Sequence, residues 1–127
     1  MGKPMTVLLP YPPSANRYIR RTARWCYRTA EADRYRATAM ALAISNGAVC
    51  LHGPVVVVAT LLPKKTKKGS ASKTRIDIDN GVKVACDALQ GVCYKNDSQI
   101  VRLTIQIGEA VPGGGLRISV SDAASIF

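Results

Sequence analysis

The sequence predicts a single α+β domain, in which two helices pack on a mixed sheet of about four strands. The chain has 127 residues, a usual length for one domain, and 47% of them are hydrophobic, which is enough to form a buried core. Segments rich in β-branched residues alternate with segments of helical periodicity in the order β-α-β-α-β-β. No internal repeat divides the chain, so residues 1–127 are expected to form one domain.

The first half of the chain is expected to contribute one strand and one helix. The strand is predicted at Thr6–Leu9, because a short apolar and β-branched segment ends there at Pro10. Ser14–Arg28 has no clear period and carries five arginines, which indicates a loop or ribbon. A helix is predicted from about Ala30 to Asn46, where Thr29 is a suitable cap and apolar residues recur every three or four positions. These apolar residues are Ala32, Tyr35, Ala39, Leu42 and Ala43.

The second half is expected to hold the central strand, a helix and two further strands. Pro54–Leu62 is almost continuously apolar and β-branched, which is typical of a strand buried on both faces. Pro63–Lys73 carries five lysines and is expected to be a mobile loop or hairpin tip. A second amphipathic helix is predicted at Asp79–Gln90. Ile100–Ile107 alternates as a strand does, and a glycine turn leads into a last strand at Leu116–Ser121.

The charge of the chain predicts a polyanionic partner. It has 18 Lys and Arg against 8 Asp and Glu, a formal net charge of +10. Most of the cations fall in two windows, and aromatic residues are interleaved with the first. Clustered cations of this kind neutralise phosphates, although a solvated surface is the alternative explanation. The residues expected to contact nucleic acid are Arg17, Arg20, Arg21, Arg24, Lys64, Lys65, Lys67, Lys68, Lys73 and Arg75.

Several classes of protein are excluded by the same composition. No segment approaches 18 uncharged apolar residues, so we expect no membrane span, and the proline-rich start lacks the pattern of a signal peptide. The four cysteines form no CxxC pair and His52 is the only histidine, which argues against a zinc site. We therefore expect free thiols and a cytoplasmic location.

Three of the few acidic residues form a candidate metal site. On an extended segment Asp77 and Asp79 point to one face, and Asp97 directly precedes the strand at Ile100. If that strand lies beside the segment leading into Asp77, the three carboxylates converge. Clustered carboxylates repel one another unless a cation is present, and their hard oxygens suit Mg²⁺ or Mn²⁺.

Ordinary structural roles are the alternative explanation for the same residues. Asp77 or Asp79 is a suitable helix cap, and Asp97 lies in a sequence typical of turns. Lys83 is one helical turn after Asp79, where its ammonium group can approach a scissile phosphate. Its alternative role is a surface ion pair with Asp79 or Asp87, at spacings of four residues.

Two segments resemble the RusA family of Holliday junction resolvases, small endonucleases typical of phages and prophages. LPYPPSANRYIR, at Leu9–Arg20, resembles the opening Pro-Pro-Ser-x-Asn-Arg-Tyr motif of the family. RIDIDNGVKVACDALQGVCYKNDSQIV, at Arg75–Val101, resembles its Asp-x-Asp-Asn-x-x-Lys core, followed by Asp-Ala-Leu and the Asp-x-Gln-Ile/Val ending. The similarity follows nearly the whole chain in length and order.

The resemblance implies a function and a set of site residues. Asp77, Asp79 and Asp97 match the metal-binding acids of the family, Lys83 matches its catalytic lysine, and Asn80 matches the neighbouring asparagine. The implied activity is Mg²⁺-dependent cleavage of four-way DNA junctions by a homodimer, with no small-molecule substrate. Other functions stay open: a DNA- or RNA-binding module without activity, and a nuclease of other branched or flapped DNA.

Overall fold

The computed structural model describes residues 5–13, 19–21, 26–28, 30–69 and 78–123, and for residues 19–21, 26–28 and 78–81 it describes the backbone alone. The elements in chain order are strands β1 (Met5–Leu9), β2 (Ile19–Arg21) and β3 (Cys26–Arg28), helix α1 (Ala30–Ser45), strand β4 (Val55–Leu62), helix α2 (Ile78–Leu89), a 3₁₀ turn (Asp97–Gln99), and strands β5 (Ile100–Ile107) and β6 (Gly115–Asp122).

The main sheet has four strands in the order β1-β6-β4-β5. β4 pairs with β5 in parallel and with β6 antiparallel, and β1 pairs antiparallel with β6. This confirms the predicted mixed sheet, the two helices and the order of the elements. β2 and β3 form a separate antiparallel pair, in agreement with the ribbon predicted for this region.

β4 lies at the centre because its sequence has no polar face. Seven of its eight residues are buried and Val58 is half-buried. β5 on one side and β6 on the other satisfy its backbone hydrogen-bonding groups, while the β-branched side chains pack on both faces. The parallel pairing with β5 requires a crossover connection, and α2 lies within that connection.

The helices pack on the face of the sheet that carries the core. In β6 the buried Leu116, Ile118 and Val120 alternate with half-buried polar residues, so one face of the strand is apolar. α1 approaches this layer through small side chains, because Ala32, Ala39 and Ala43 are fully buried. Of the predicted apolar stripe of α1, only Leu42 is half-buried rather than buried.

Helix α2 begins at Ile78, one residue earlier than predicted. Asp79 therefore lies within the first turn of the helix. The expectation that an extended backbone points Asp77 and Asp79 to one face is wrong for Asp79. Side chains two residues apart share a face only in a strand, and Asp79 is helical. Asp77 lies outside the described residues and directly precedes the first helical residue in sequence.

The beginning of the lysine-rich segment is held by the connection between β5 and β6. The Val111 N–H donates to the Pro63 carbonyl at 2.9 Å, and the Lys65 N–H donates to the Val111 carbonyl at 3.1 Å. The Lys64 ammonium lies 4.9 Å from the centre of the Tyr11 ring. Gly114, with φ +71°, permits this packing, because a Cβ there would come within 2.5 Å of the Tyr11 ring. The predicted mobile loop is thus hydrogen-bonded where it starts, and residues 70–73 lie outside the described ranges.

Within the described ranges, no helix is long and apolar enough to cross a membrane. Cys50, Cys86 and Cys93 carry free thiols.

Candidate active site

A groove of about 450 Å³ lies between α2 and β5. Val82, Cys86, Ile100 and Ile105 belong to the core or pack against it, and they form an apolar floor. Charged side chains from both elements line the same groove. These are Lys83 and Asp87 of α2, Asp97 of the 3₁₀ turn, and Arg102 of β5. The groove therefore joins two predicted site residues, Lys83 and Asp97, although they are distant in sequence.

Asp97 is not needed to form the turn in which it lies. The N-cap of the 3₁₀ turn is Asn96, whose side-chain oxygen accepts from the Ser98 N–H at 2.9 Å. Gln99 completes a capping box by accepting from the Asn96 N–H at 2.9 Å. Asp97 contributes only backbone groups: its N–H donates to Gln90 Oε1 at 3.3 Å, and its carbonyl accepts from the Ile100 N–H. Its exposed carboxylate is thus available for another purpose, and the turn explanation does not account for its identity.

Tyr94 anchors the connection that leads from α2 to Asp97. Its side chain is fully buried, and its hydroxyl donates to the Cys86 carbonyl at 2.6 Å. The chain turns between these elements at Gly91, whose φ of +92° favours glycine. The fixed Tyr94 places the following turn against the C-terminal half of α2.

The charge of Asp97 extends into the groove. Burial is the main reason that the pKa of the Cys86 thiol is raised. A hydrogen bond with Tyr94 opposes that shift, and the negative charge of Asp97 adds to it. Burial thus disfavours the thiolate form of Cys86, whose side chain lies half-buried in the groove floor.

Lys83 is exposed on the α2 face that lines the groove. Asp87, four residues later, forms an ion pair with Arg36 of α1, with 3.5 Å between Arg36 Nε and Asp87 Oδ2. This ion pair gives Arg36 a role between the two helices. Lys83 follows Asp79 by one helical turn, as predicted.

A β-bulge shapes the strand side of the groove. Val55 pairs with Ile100 and Val56 with Arg102, so Val101 is the extra residue. Bulges bend a strand and redirect its side chains, and they are common next to active sites. Here the bulge begins three residues after Asp97 and leaves Val101 54% exposed.

The other predicted site residues are described only in part. Asp79 and Asn80 lie in the first turn of α2, with no description of their side chains. Arg20 and Arg21 lie in β2, where the backbone alone is described. Lys64, Lys65, Lys67 and Lys68 are exposed. The predictions for Arg17, Arg24, Lys73, Arg75 and Asp77 fall outside the described residues.

The described donor set is suited to a hard divalent cation but is incomplete. The Asp97 carboxylate offers the oxygen ligands that Mg²⁺ and Mn²⁺ prefer. No group of three His, Cys, Asp or Glu side chains suited to hold a metal occurs within the described ranges. Asp77 and the side chain of Asp79, which would complete the predicted set, are outside them. Whether the three carboxylates converge therefore stays a prediction.

Comparison with known proteins identifies the family. The sequence model of the family Endodeoxyribonuclease RusA matches residues 10–121. The chain is 27% identical over 119 residues to the crossover junction endodeoxyribonuclease RusA of Enterobacteria phage 82, covering 91% of this chain and 92% of the phage protein. It is also 27% identical over 120 residues to the protein of that name from Escherichia coli strain K12, covering 92% and 93% of the two chains. The chain therefore belongs to the endodeoxyribonuclease RusA family.

Proposed function

We propose that this protein is a Mg²⁺-dependent endonuclease that resolves four-way DNA junctions by paired, symmetrical hydrolysis of phosphodiesters. The carrying observation is the exposed carboxylate of Asp97, which its own turn does not use and which lines one groove with Lys83. Two further facts support the proposal. The relatives are named crossover junction endodeoxyribonucleases, and the chain has a formal net charge of +10.

In this proposal the acidic residues hold the cation and Lys83 acts on the phosphate. Asp77, Asp79 and Asp97 provide oxygen ligands for Mg²⁺, which Mn²⁺ can replace, and Asn80 supports them. The bound cation supplies positive charge that stabilises the phosphate as negative charge develops on it. Lys83 donates hydrogen bonds and positive charge to the same oxygens, an interaction that strengthens in the transition state.

Two further parts of the proposal concern the assembly and its biological process. A homodimer suits a four-way junction, because a two-fold axis places one acidic cluster on each of two equivalent strands. Ile107 of the edge strand β5 is 45% exposed and lies outside the groove, and apolar side chains are enriched in the core of homodimer interfaces. The relatives' names support DNA recombination and repair as the process, and the phage relative supports a phage or prophage origin.

Incubation with a labelled synthetic four-way junction tests the activity. The purified protein is compared on the junction and on a linear duplex of the same sequence, with Mg²⁺ and with EDTA. Paired nicks in the junction alone, which require Mg²⁺, are expected. Equal cleavage of flapped or three-way DNA would assign the protein to a broader class of nuclease. Tight binding without cleavage under Mg²⁺ or Mn²⁺ would refute the enzyme and favour a DNA-binding module.

The lysine-rich segment is expected to contact phosphates. Replacing Lys65, Lys67 and Lys68 by alanine should weaken junction binding and reduce the slope of log K against log salt by about one unit per lost contact. The Lys65 backbone bond to Val111 is retained in this variant. Arg117→Ala is the control and should change the slope little, because the Arg117 guanidinium already pairs with Glu109 at 2.8 Å. An unchanged slope in the triple variant would assign these lysines to solubility alone.

A further inference from the structure

We infer that Gln99 is the positioning residue for Asp97, and that its side-chain amide sets the geometry in which Asp97 meets a divalent cation. The inference rests on the proposed function, because it takes Asp97 to be a metal ligand. It goes beyond that function by assigning a task to Gln99, the glutamine of the Asp-x-Gln-Ile/Val ending, to which the sequence analysis assigns no role.

Gln99 uses the full hydrogen-bonding capacity of its amide on backbone groups. Its Oε1 accepts from the Lys95 N–H at 2.8 Å and from the Asn96 N–H at 2.9 Å. Its Nε2 donates to the Leu51 carbonyl at 2.9 Å and to the Gly53 carbonyl at 2.8 Å. One side chain therefore joins the chain before the 3₁₀ turn to the segment that leads into β4.

These four bonds leave no other function for the amide. An amide oxygen has two acceptor sites and an amide nitrogen has two donors, and all four are occupied. Gln99 is consequently not a metal ligand and does not contact the phosphate. Its effect on the reaction passes through the backbone at residues 95–99, within which Asp97 lies.

The position of Asp97 depends on this support from two sides. Gln99 fixes the turn to the segment before β4, and Gln90 Oε1 accepts the Asp97 N–H from the end of α2. The Asp97 carboxylate makes no hydrogen bond within its own turn, so the backbone of the turn sets the position from which the side chain enters the groove. Residues that orient a metal ligand in this way influence affinity for the metal without contacting it.

Glutamine is required here because its amide oxygen meets backbone N–H donors and its amide nitrogen meets backbone carbonyl acceptors. Glutamate would place an oxygen, in place of Nε2, against the carbonyls of Leu51 and Gly53, and two acceptors repel. Asparagine lacks one methylene group and reaches less far from the backbone. Methionine has a similar length and satisfies none of the four backbone groups.

The test measures metal affinity separately from cleavage. Mn²⁺ binding to the purified protein is followed by the electron paramagnetic resonance signal of free Mn²⁺, for the wild type and for Gln99→Glu. We expect the dissociation constant to rise about tenfold, as for other residues that orient metal ligands. Junction affinity in EDTA, measured with the uncharged variant Gln99→Met, should stay within about twofold of the wild type, because the Gln99 amide bonds only to backbone groups. An unchanged Mn²⁺ affinity in the folded variant would overturn the inference.

Gln106→Glu is the matched control. The Gln106 amide donates to Thr60 Oγ1 at 2.9 Å, on the part of β5 that is distant from the turn. The same chemical change at Gln106 should leave Mn²⁺ affinity unaltered. An equal loss of affinity in Gln106→Glu would show a general effect of glutamine replacement on the fold, since added negative charge by itself favours cation binding, and would also overturn the inference.

Two further variants separate this inference from the proposed function and from a role in folding. If Asp97→Asn lowers Mn²⁺ affinity and Gln99→Glu does not, Asp97 is a ligand and only the role of Gln99 is wrong. If Asp97→Asn has no effect, the proposed metal site itself is wrong. Gln99→Met, which adds no charge, is measured beside Gln99→Glu with thermal unfolding. Loss of the folded state in both would assign Gln99 to global stability and refute a positioning role.

Discussion

Asp97→Asn is expected to reduce junction cleavage about 100-fold or more, equivalent to about 2.7 kcal/mol of transition-state stabilisation. Asparagine has the shape of aspartate but is a neutral and weaker metal ligand. The 3₁₀ turn should persist, because residue 97 bonds to Gln90 through its backbone N–H. Junction binding should be equal to that of the wild type or tighter, since a negative charge near phosphate is removed. Single-turnover cleavage and gel-shift titration measure the two quantities separately.

Asp87→Asn is the matched control for Asp97→Asn. Asp87 lines the same groove and carries the same charge, but its carboxylate pairs with Arg36. Both side chains are partly exposed, so the loss of this ion pair should cost at most about 1 kcal/mol of stability. Cleavage should be close to that of the wild type. Equal losses in the two variants would mean that the charge of the groove, rather than a ligand at residue 97, governs the rate.

The elements of the fold were predictable from the sequence because local patterns determine them. β4 is apolar on both faces and β5 alternates, so the predicted strands agree with the observed ones within one residue. The pairing of the first strand with the last, and of β4 with β5 in parallel, was not predicted. Those pairings join segments far apart in sequence, and no local pattern records them.

Residues of the candidate site could be predicted from the sequence where the type of side chain alone indicates its chemical role. Asp97 and Lys83 were identified from charge and spacing, and the structure places both in one groove. Gln99 was not assigned a role, although the spacing of Asn96 and Gln99 is a capping-box pattern. Its other partners, Leu51 and Gly53, precede it by 48 and 46 residues, so half of its bonding is visible only in three dimensions.

Helix α2 begins one residue earlier than predicted, and this changes the geometry expected for Asp79. The sequence placed Asp79 at the end of an extended segment, and the structure places it in the first turn of α2. Successive positions of a helix differ by about 100° around its axis, so residues two apart do not share a face. Its relation to Lys83 is strengthened instead, because both are then helical and one turn apart.

Lys83→Met is expected to reduce the cleavage rate at saturating junction about 100-fold, with about twofold or less change in junction affinity. Methionine keeps an unbranched side chain and removes the ammonium group, so packing against the groove floor is largely retained. The rate depends more strongly than binding on Lys83 if its charge acts mainly in the transition state. Single-turnover rates and binding titrations in EDTA provide this comparison.

Lys95→Met controls for the loss of one positive charge near the site. Lys95 is exposed two residues before Asp97, and its bond to Gln99 uses the backbone N–H, which the substitution retains. If Lys83 acts at the scissile phosphate, Lys95→Met should cleave at nearly the wild-type rate. Lys83→Arg should be intermediate, because arginine keeps the charge but presents a planar fork instead of a point charge. Lys83→Met could instead lose as much junction affinity as cleavage rate. That result would assign Lys83 to DNA binding, and other groups would then stabilise the phosphate in the transition state.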